Sequence, residues 1–359
     1  MSTTIGPGYG IMPLLLANAT GVRQQLDTLT EQASTGRVAQ TYAGLGSEAA
    51  TSLDLNPGIA ALRTYRNNID QAAGGMQVTQ AAMTRMQQIA ATFVSAMPNL
   101  NGLNASQIDS VAANARAALT EVAGLLDTKN GNTYVFGGQD TANPPVPAPD
   151  AILSSGFYTG INTAVTALAA SGAAATTAAT LGVAGSNAAG TSPFSAYMSQ
   201  PASVLSAPAV QTGDGTTVRT GLLASANSAA TSAGPSTTGS YTRDLMRALA
   251  TLGSIASSQV NDPNFNALLR DTGDSLNGVV TAMATDSGIL GNTQASLTAT
   301  QTHLSATESA LTAQVSSVQD ADIAATLSKL AATQTQLQES YRLIASANSL
   351  SLINFLPAA

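Results

Sequence analysis

The sequence predicts a mainly α fold of long antiparallel helices with N- and C-terminal coiled-coil pairing and a small β-rich or mixed central insert. Two observations predict the pairing: apolar residues recur at alternating steps of four and three along the last forty residues, and again along residues 15–33. A third is composition. With 4% aromatic residues, no Cys and no Trp, the chain suits helices packed through small side chains better than one large globular core.

The C-terminal pattern begins at Ile323 and continues almost to the last residue. A single helix with this spacing cannot bury its apolar edge alone, so it requires a second helix from the other end of this chain, from another copy, or from both. Gln334 and Asn348 occupy positions of the same pattern. Their amides either are buried and specify the register of the paired helices, or face water in a looser bundle. The predicted seam residues are Ile323, Leu327, Leu330, Leu337, Tyr341, Ile344, Leu352 and Phe355.

Two aspartates, Asp320 and Asp322, come directly before this helix. We interpret them as its N-cap, because a carboxylate there accepts hydrogen bonds from first-turn N–H groups and favours the positive end of the helix dipole. A carboxylate pair for calcium binding or acid–base chemistry is the alternative interpretation.

The N-terminal segment carries the matching pattern. Gly36 predicts the end of this helix, and the glycines and prolines up to Pro13 predict an irregular start. Pairing of the two terminal patterns would bring the chain ends together. The predicted N-terminal seam residues are Leu15, Val22, Leu26 and Leu29, with Ala19 and Ala33 at the intervening positions.

Heptad spacing also predicts long helices between the termini. We expect Asn56-Pro57-Gly58 to interrupt the first of them and Pro98 to end it. A further helix starts near Ala105, and Thr133 to Phe136 reads as a short strand. Helical patterning resumes near Tyr241 and is broken once more at Asn261-Asp262-Pro263 before the terminal helix.

The middle of the chain differs in kind, being rich in Ala, Gly, Ser and Thr. A turn at Gly213-Asp214-Gly215 predicts a hairpin, residues 161–179 read as possible helix, and disorder is the alternative. Three parts follow: residues 1–40 and 320–359 as a paired terminal coiled coil, residues 41–145 and 240–319 as a helical bundle, and residues 146–239 as an outward-facing variable insert.

No catalytic constellation is recognisable in the sequence. His303 is the only histidine in the sequence, which argues against a His-based catalytic triad and against a His-based zinc site. The sequence contains no Cys, which excludes thiolate metal sites. We therefore expect no enzyme, cofactor or metal. Lys and Arg are scattered along a chain of net charge −7, which argues against nucleic-acid binding. The sequence has no apolar run of about 18 residues or more, so we expect no membrane span. Ile11 to Ala17 is a poor signal peptide.

Several of these segments resemble the flagellin superfamily. The C-terminal match is Asp320-Ala-Asp-Ile323 followed by the ending Ser349-Leu-Ser-Leu-Ile-Asn-Phe-Leu356, and the N-terminal match is Ala33-Ser-Thr-Gly-Arg37. Asp127 to Pro145, with Tyr134-Val-Phe-Gly-Gly138 in its centre, is similar to the pattern of hook-filament junction proteins within that superfamily. Tyr42-Ala-Gly-Leu-Gly46 departs from the family, which often has Asp-Asp-Pro there.

The resemblance implies a structural subunit of the bacterial flagellum, most like the junction protein, with filament flagellin as the alternative. It implies export through the flagellar type III pathway without a cleavable signal peptide, an export chaperone, and an extracellular location. It also implies homo-oligomers in a helical or ring assembly, next to hook-side and filament-side axial proteins. A flagellin-like surface-binding protein is a lesser alternative, for which Phe157, Tyr158, Phe194 and Tyr197 of the insert are the candidate contacts.

Overall fold

The computed structural model describes residues 11–100, 105–226, 230–232 and 234–349, and it confirms the mainly α prediction. Short 3-10 helices and two small antiparallel hairpins connect the α-helices. In chain order the elements are α1 (Ile11–Thr35), α2 (Ala49–Ala96), α3 (Ala105–Leu126), β1 (Lys129–Asn130), β2 (Thr133–Tyr134), α4 (Gly156–Thr166), α5 (Leu168–Ser171), α6 (Ala173–Gly185), β3 (Ala209–Gly213), β4 (Thr216–Arg219), α7 (Tyr241–Ser254), α8 (Phe265–Gln319) and α9 (Ile323–Ser349).

The chain forms two compact units. The first consists of the chain up to Arg63 and from Ser305 onward, and the second of Thr64–Leu304. This division is coarser than the three parts expected from sequence, and the finer organisation stays a prediction.

In the first unit α1 packs along α9. The segment that follows α1 and the segment that precedes α9 are joined by backbone hydrogen bonds. The amide of Val38 donates to Gln319 O (2.8 Å), and the amide of Ala321 donates to Gly36 O (2.9 Å). Gly36 has φ +69°, a conformation that favours glycine, so it ends α1 as the sequence predicts.

In the second unit α7 is the central element, and all of its residues are buried. It packs against α3, α4 and α6. Leu245, Leu249 and Leu252 lie on it with no exposed surface, as their helical spacing predicts. The segment between α6 and α7 contains the β3–β4 hairpin, so the insert is mixed rather than β-rich.

Two expectations about proline are wrong. Pro57 lies inside α2, and Pro13 lies inside the first turn of α1, where its missing N–H has no helical partner to lose. In this part of α2, Ser52 and Ile59 are both buried, and Asn56 Nδ2 donates to Ser52 O at 2.8 Å. These contacts hold the helix across Pro57.

The predicted strand at Thr133 to Phe136 is shorter than expected. Thr133 and Tyr134 pair with β1, whereas Val135 and Phe136 turn inward and are buried. Asn130, on β1, places its Nδ2 3.7 Å from the position that a Cβ would occupy at Gly74 and at Gly75 of α2.

Two glycine-to-alanine substitutions in the second unit should have opposite effects. At Gly75→Ala the new Cβ meets only Asn130 Nδ2 at ordinary contact distance, so helix propensity should raise stability by up to about 1 kcal/mol. At Gly156→Ala the Cβ would lie 1.9 Å from Gly190 O, and forced backbone movement should lower stability by about 3 kcal/mol. Thermal unfolding of both variants checks this, and equal shifts would contradict it.

Candidate assembly surface on the terminal helix pair

The α1 side of the terminal pair follows the sequence pattern. Ala19 and Leu29 are buried, 5% and 7% exposed, and Leu15, Val22 and Leu26 are half-buried between exposed neighbours. The side chains at steps of four and three therefore form one continuous edge, and α9 is the helix that packs against α1.

The α9 side uses a different set of residues from the one predicted. Three of the predicted seam residues, Leu330, Leu337 and Ile344, are half-buried. The positions between them are filled by Thr326 and Thr333, 6% and 5% exposed. Small hydroxyl residues at these positions bring the helices together while contributing less apolar burial than Leu would.

The remaining predicted seam residues face outward. Ile323, Leu327 and Tyr341 are 41%, 52% and 50% exposed, and Gln334 is exposed with them. Leu327, Gln334 and Tyr341 are spaced by seven, so they lie on one face of α9. We call this face the outer edge of α9, defined by Ile323, Leu327, Gln334 and Tyr341.

Of the other predicted residues, Leu352 and Phe355 lie outside the described residues, as does the side chain of Asn348. Because Gln334 is exposed, it does not specify the register of α1 against α9.

The two predicted cap residues differ in geometry. Asp322 Oδ1 accepts a hydrogen bond from Ala325 N at 3.0 Å, and Asp322 O accepts from Thr326 N at 2.8 Å, as an N-cap residue does. Asp320 lies on the linker, where its backbone forms a β-bridge with Arg37.

Exposed large apolar side chains concentrate in the first unit. Among the described residues of the second unit, the exposed large apolar residues are Val204 and Ile289, which are far apart in sequence. Exposed apolar side chains gathered in one part of a molecule favour protein–protein contact there. In the first unit the exposed large apolar residues are Leu14, Leu16, Val38, Tyr42, Leu53, Ile323, Leu327, Tyr341 and Leu343.

The polar core of the second unit was not predicted from the sequence. Asp244, with no exposed surface, accepts hydrogen bonds from Thr238 N (2.8 Å) and from the hydroxyls of Ser232 and Thr237. Arg247, one turn further along α7, is 1% exposed. Burial lowers the pKa of Arg247 from its ordinary value, and Asp271 acts in the opposite direction.

Asp127 is the acid whose protonation should affect stability near neutral pH. Its Oδ1 accepts from Val146 N at 2.9 Å, while burial raises the pKa of its carboxyl to about 6. Because the folded chain holds this proton to higher pH than the unfolded chain, stability should fall as pH rises from about 4 to about 6 and then level off.

Asp127→Asn should remove that pH dependence, because it keeps an oxygen for Val146 N and eliminates the charge. Above pH 6 the variant should be more stable than the parent chain by about 1 kcal/mol, a value discounted for the half-exposed site. Denaturant unfolding from pH 4 to pH 8 measures this, with the exposed Asp150→Asn as the matched control. Parallel pH profiles for parent and Asp127→Asn would contradict it.

Other kinds of site find little support. Across the described ranges, no group of three or more His, Asp or Glu side chains could hold a metal ion. Phe157, Tyr158 and Phe194 of the insert are buried, so they do not form the exposed aromatic cluster that a surface-binding protein would need. His303 is exposed beside buried Leu304, as expected for a helix surface. In the part of the chain that the structure describes, none of the helices has the length and apolar character needed to cross a membrane.

Comparison with protein families matches both ends of the chain. Residues 14–141 match the bacterial flagellin N-terminal helical region, and residues 274–356 match the bacterial flagellin C-terminal helical region. The first segment contains α2, α3, the β1–β2 hairpin and most of α1, and the second contains α9 and most of α8. A search of curated proteins gave no match.

Proposed function

The chain belongs to the flagellin superfamily and is a structural subunit of the bacterial flagellum. We propose that within the flagellum it acts as the hook-filament junction protein. Members of this family are exported and form homopolymeric assemblies with axial proteins in the extracellular flagellum.

The outer edge of α9 is the observation that carries the assembly part of the proposal. α9 buries one half of its apolar pattern against α1 and leaves Leu327 and Tyr341 about half exposed in the single chain. A neighbouring subunit placed against this edge would complete the heptad seam. A contact between two different surfaces of identical subunits repeats head to tail, and it produces a ring or an open helical array.

The junction role is supported by the segment that follows α3. The sequence from Tyr134 to Pro145 is similar to junction proteins, and in the fold this segment is anchored at several points. Val135 and Phe136 are buried, Gly137 forms a β-bridge with Leu223, and Val146 N binds Asp127. The segment therefore has a fixed structure in which the distinguishing residues are held in place.

Electron microscopy of the purified protein distinguishes the junction role from the filament role. The protein is concentrated at neutral pH, alone and with isolated hooks, and imaged by negative stain. Monomers that add only to hook or filament ends support the junction role. Long uniform filaments from this chain alone would identify a filament flagellin, and failure to form either structure would count against an axial role.

An export chaperone is the second proposed partner. The outer edge of α9 would be exposed before assembly, and premature contact between copies would obstruct export. A chaperone that covers Leu327 and Tyr341 would prevent this contact and would have to leave before the subunit assembles.

A further inference from the structure

A cavity of about 320 Å³ lies in the second unit at the N-terminal end of α7. Its walls combine two kinds of surface. Hydroxyl and amide groups come from Ser225, Ser240 and Gln200, and apolar surface comes from Leu205 and Ala202. Gly185, the last residue of α6, also lines it. The assembly proposed above makes no use of this cavity.

Among the described residues that line the cavity, Arg243 is the charged one, and this residue is 7% exposed. Its guanidinium stacks over Phe194, with 5.0 Å between the guanidinium carbon and the ring centroid. Nε donates to Ser225 O (2.9 Å), Nη1 to Ala184 O (2.9 Å) and Ser186 O (3.3 Å), and Nη2 to Asn187 Oδ1 (2.7 Å).

These four acceptors are all neutral. A guanidinium has five N–H donors, so within the described residues one N–H of Nη2 has no acceptor assigned to it. Asp244 is the adjacent carboxylate, but it already accepts hydrogen bonds from Ser232, Thr237 and Thr238. A buried positive charge without a carboxylate bonded to it therefore lines a cavity together with the Ser240 hydroxyl, whereas the Ser225 hydroxyl already donates to Met198 O at 2.6 Å.

We propose that this cavity binds a small organic monocarboxylate, with the carboxylate on Arg243 and the alkyl part against Leu205 and Ala202. A carboxylate oxygen would take the remaining guanidinium N–H and form a charge-assisted hydrogen bond. Asp244 repels any anion at this site, and it repels a phosphate dianion more strongly than a monoanion, so the single guanidinium favours a monocarboxylate. The volume accommodates a chain of several carbons and leaves room for water.

Butyrate and butyramide provide a direct test, because they share a shape and differ in charge. Isothermal titration of the full chain should show saturable binding of butyrate that is at least tenfold tighter than that of butyramide. Arg243→Lys should weaken butyrate binding at least tenfold, because one ammonium replaces a planar guanidinium. Circular dichroism would establish that this variant is folded.

A second variant tests the site without altering Arg243. A Cβ at Gly185 meets nothing within 4 Å, so Gly185→Leu should occupy the cavity without a clash and weaken butyrate binding at least tenfold. Gly182→Leu is the matched control on the same helix; its Cβ also meets nothing, it is not among the cavity residues, and binding should stay within twofold. Equal affinity for butyrate and butyramide, no saturable binding, or unchanged binding in Gly185→Leu would each overturn the proposal.

Discussion

Leu327→Ser combined with Tyr341→Ser should raise the protein concentration required for assembly about a hundredfold while leaving the stability of the single chain nearly unchanged. Both side chains are about half exposed in the single chain, so their replacement removes little internal packing. If a neighbouring subunit buries the rest of each side chain, each replacement loses roughly 1.4 kcal/mol of contact, which corresponds to about tenfold in affinity per site.

The matched control exchanges the same number of residues on the adjacent edge of α9, which meets α1. Leu330→Ser with Leu337→Ser removes half-buried side chains that face α1, so the terminal pair should lose about 2 kcal/mol. Hydrogen exchange should then increase across α1 and α9 before any assembly occurs. Sedimentation or end-addition assays report assembly of both variants. Normal assembly of the Leu327/Tyr341 variant would show that the outer edge is not an interface.

The sequence was more informative about the buried edge of α1 than about that of α9. On α1 the side chains turned away from water, Leu15, Val22, Leu26 and Leu29 with Ala19 among them, are the ones that the four-three spacing selects. On α9 two overlapping patterns share Leu330, Leu337 and Ile344. The heptad rule favoured the pattern with more large apolar residues, whereas the fold buries the one with threonine.

The threonines could have been recognised by a different signal. Thr326, Thr333 and Ser340 repeat at steps of seven, the same period as the apolar residues. Sequence hydrophobicity cannot decide which of two adjacent edges meets α1, because that choice depends on how closely the two helices approach. Small residues permit a close approach, and the larger side chains then remain available on the other edge.

The core around α7 could not be predicted for another reason. Its apolar spacing indicated one buried face, yet Arg243, Asp244 and Arg247 are buried as well. Arg243 and Arg247 are four residues apart, which is typical of an exposed helix face. Their partners come from α6, α8 and the segment before α7, and only the tertiary fold brings these distant residues together.

Asp271→Ala should destabilise the second unit by about 3–5 kcal/mol, because it leaves the Arg247 charge buried without its ion-pair partner. Arg247 is 1% exposed, and its Nη1 lies 3.6 Å from Asp271 Oδ2. The Asp271 side chain is 18% exposed and also accepts from Thr177 Oγ1 at 3.2 Å. Removing the arginine instead leaves an acid with partial access to water, so Arg247→Met should cost less.

The double variant separates the ion pair from the packing around it. With both charges removed, no uncompensated charge remains, so Arg247→Met/Asp271→Ala should be more stable than Asp271→Ala alone, with a coupling of about 1–3 kcal/mol. Hydrogen exchange of the fully buried α7 amides measures stability in this unit specifically. Arg270→Met, at the exposed neighbouring position of α8, should change it by less than about 0.5 kcal/mol. Additive losses would mean that Arg247 is held by its neutral partners Ser236 and Thr180, and that the ion pair contributes nothing of its own.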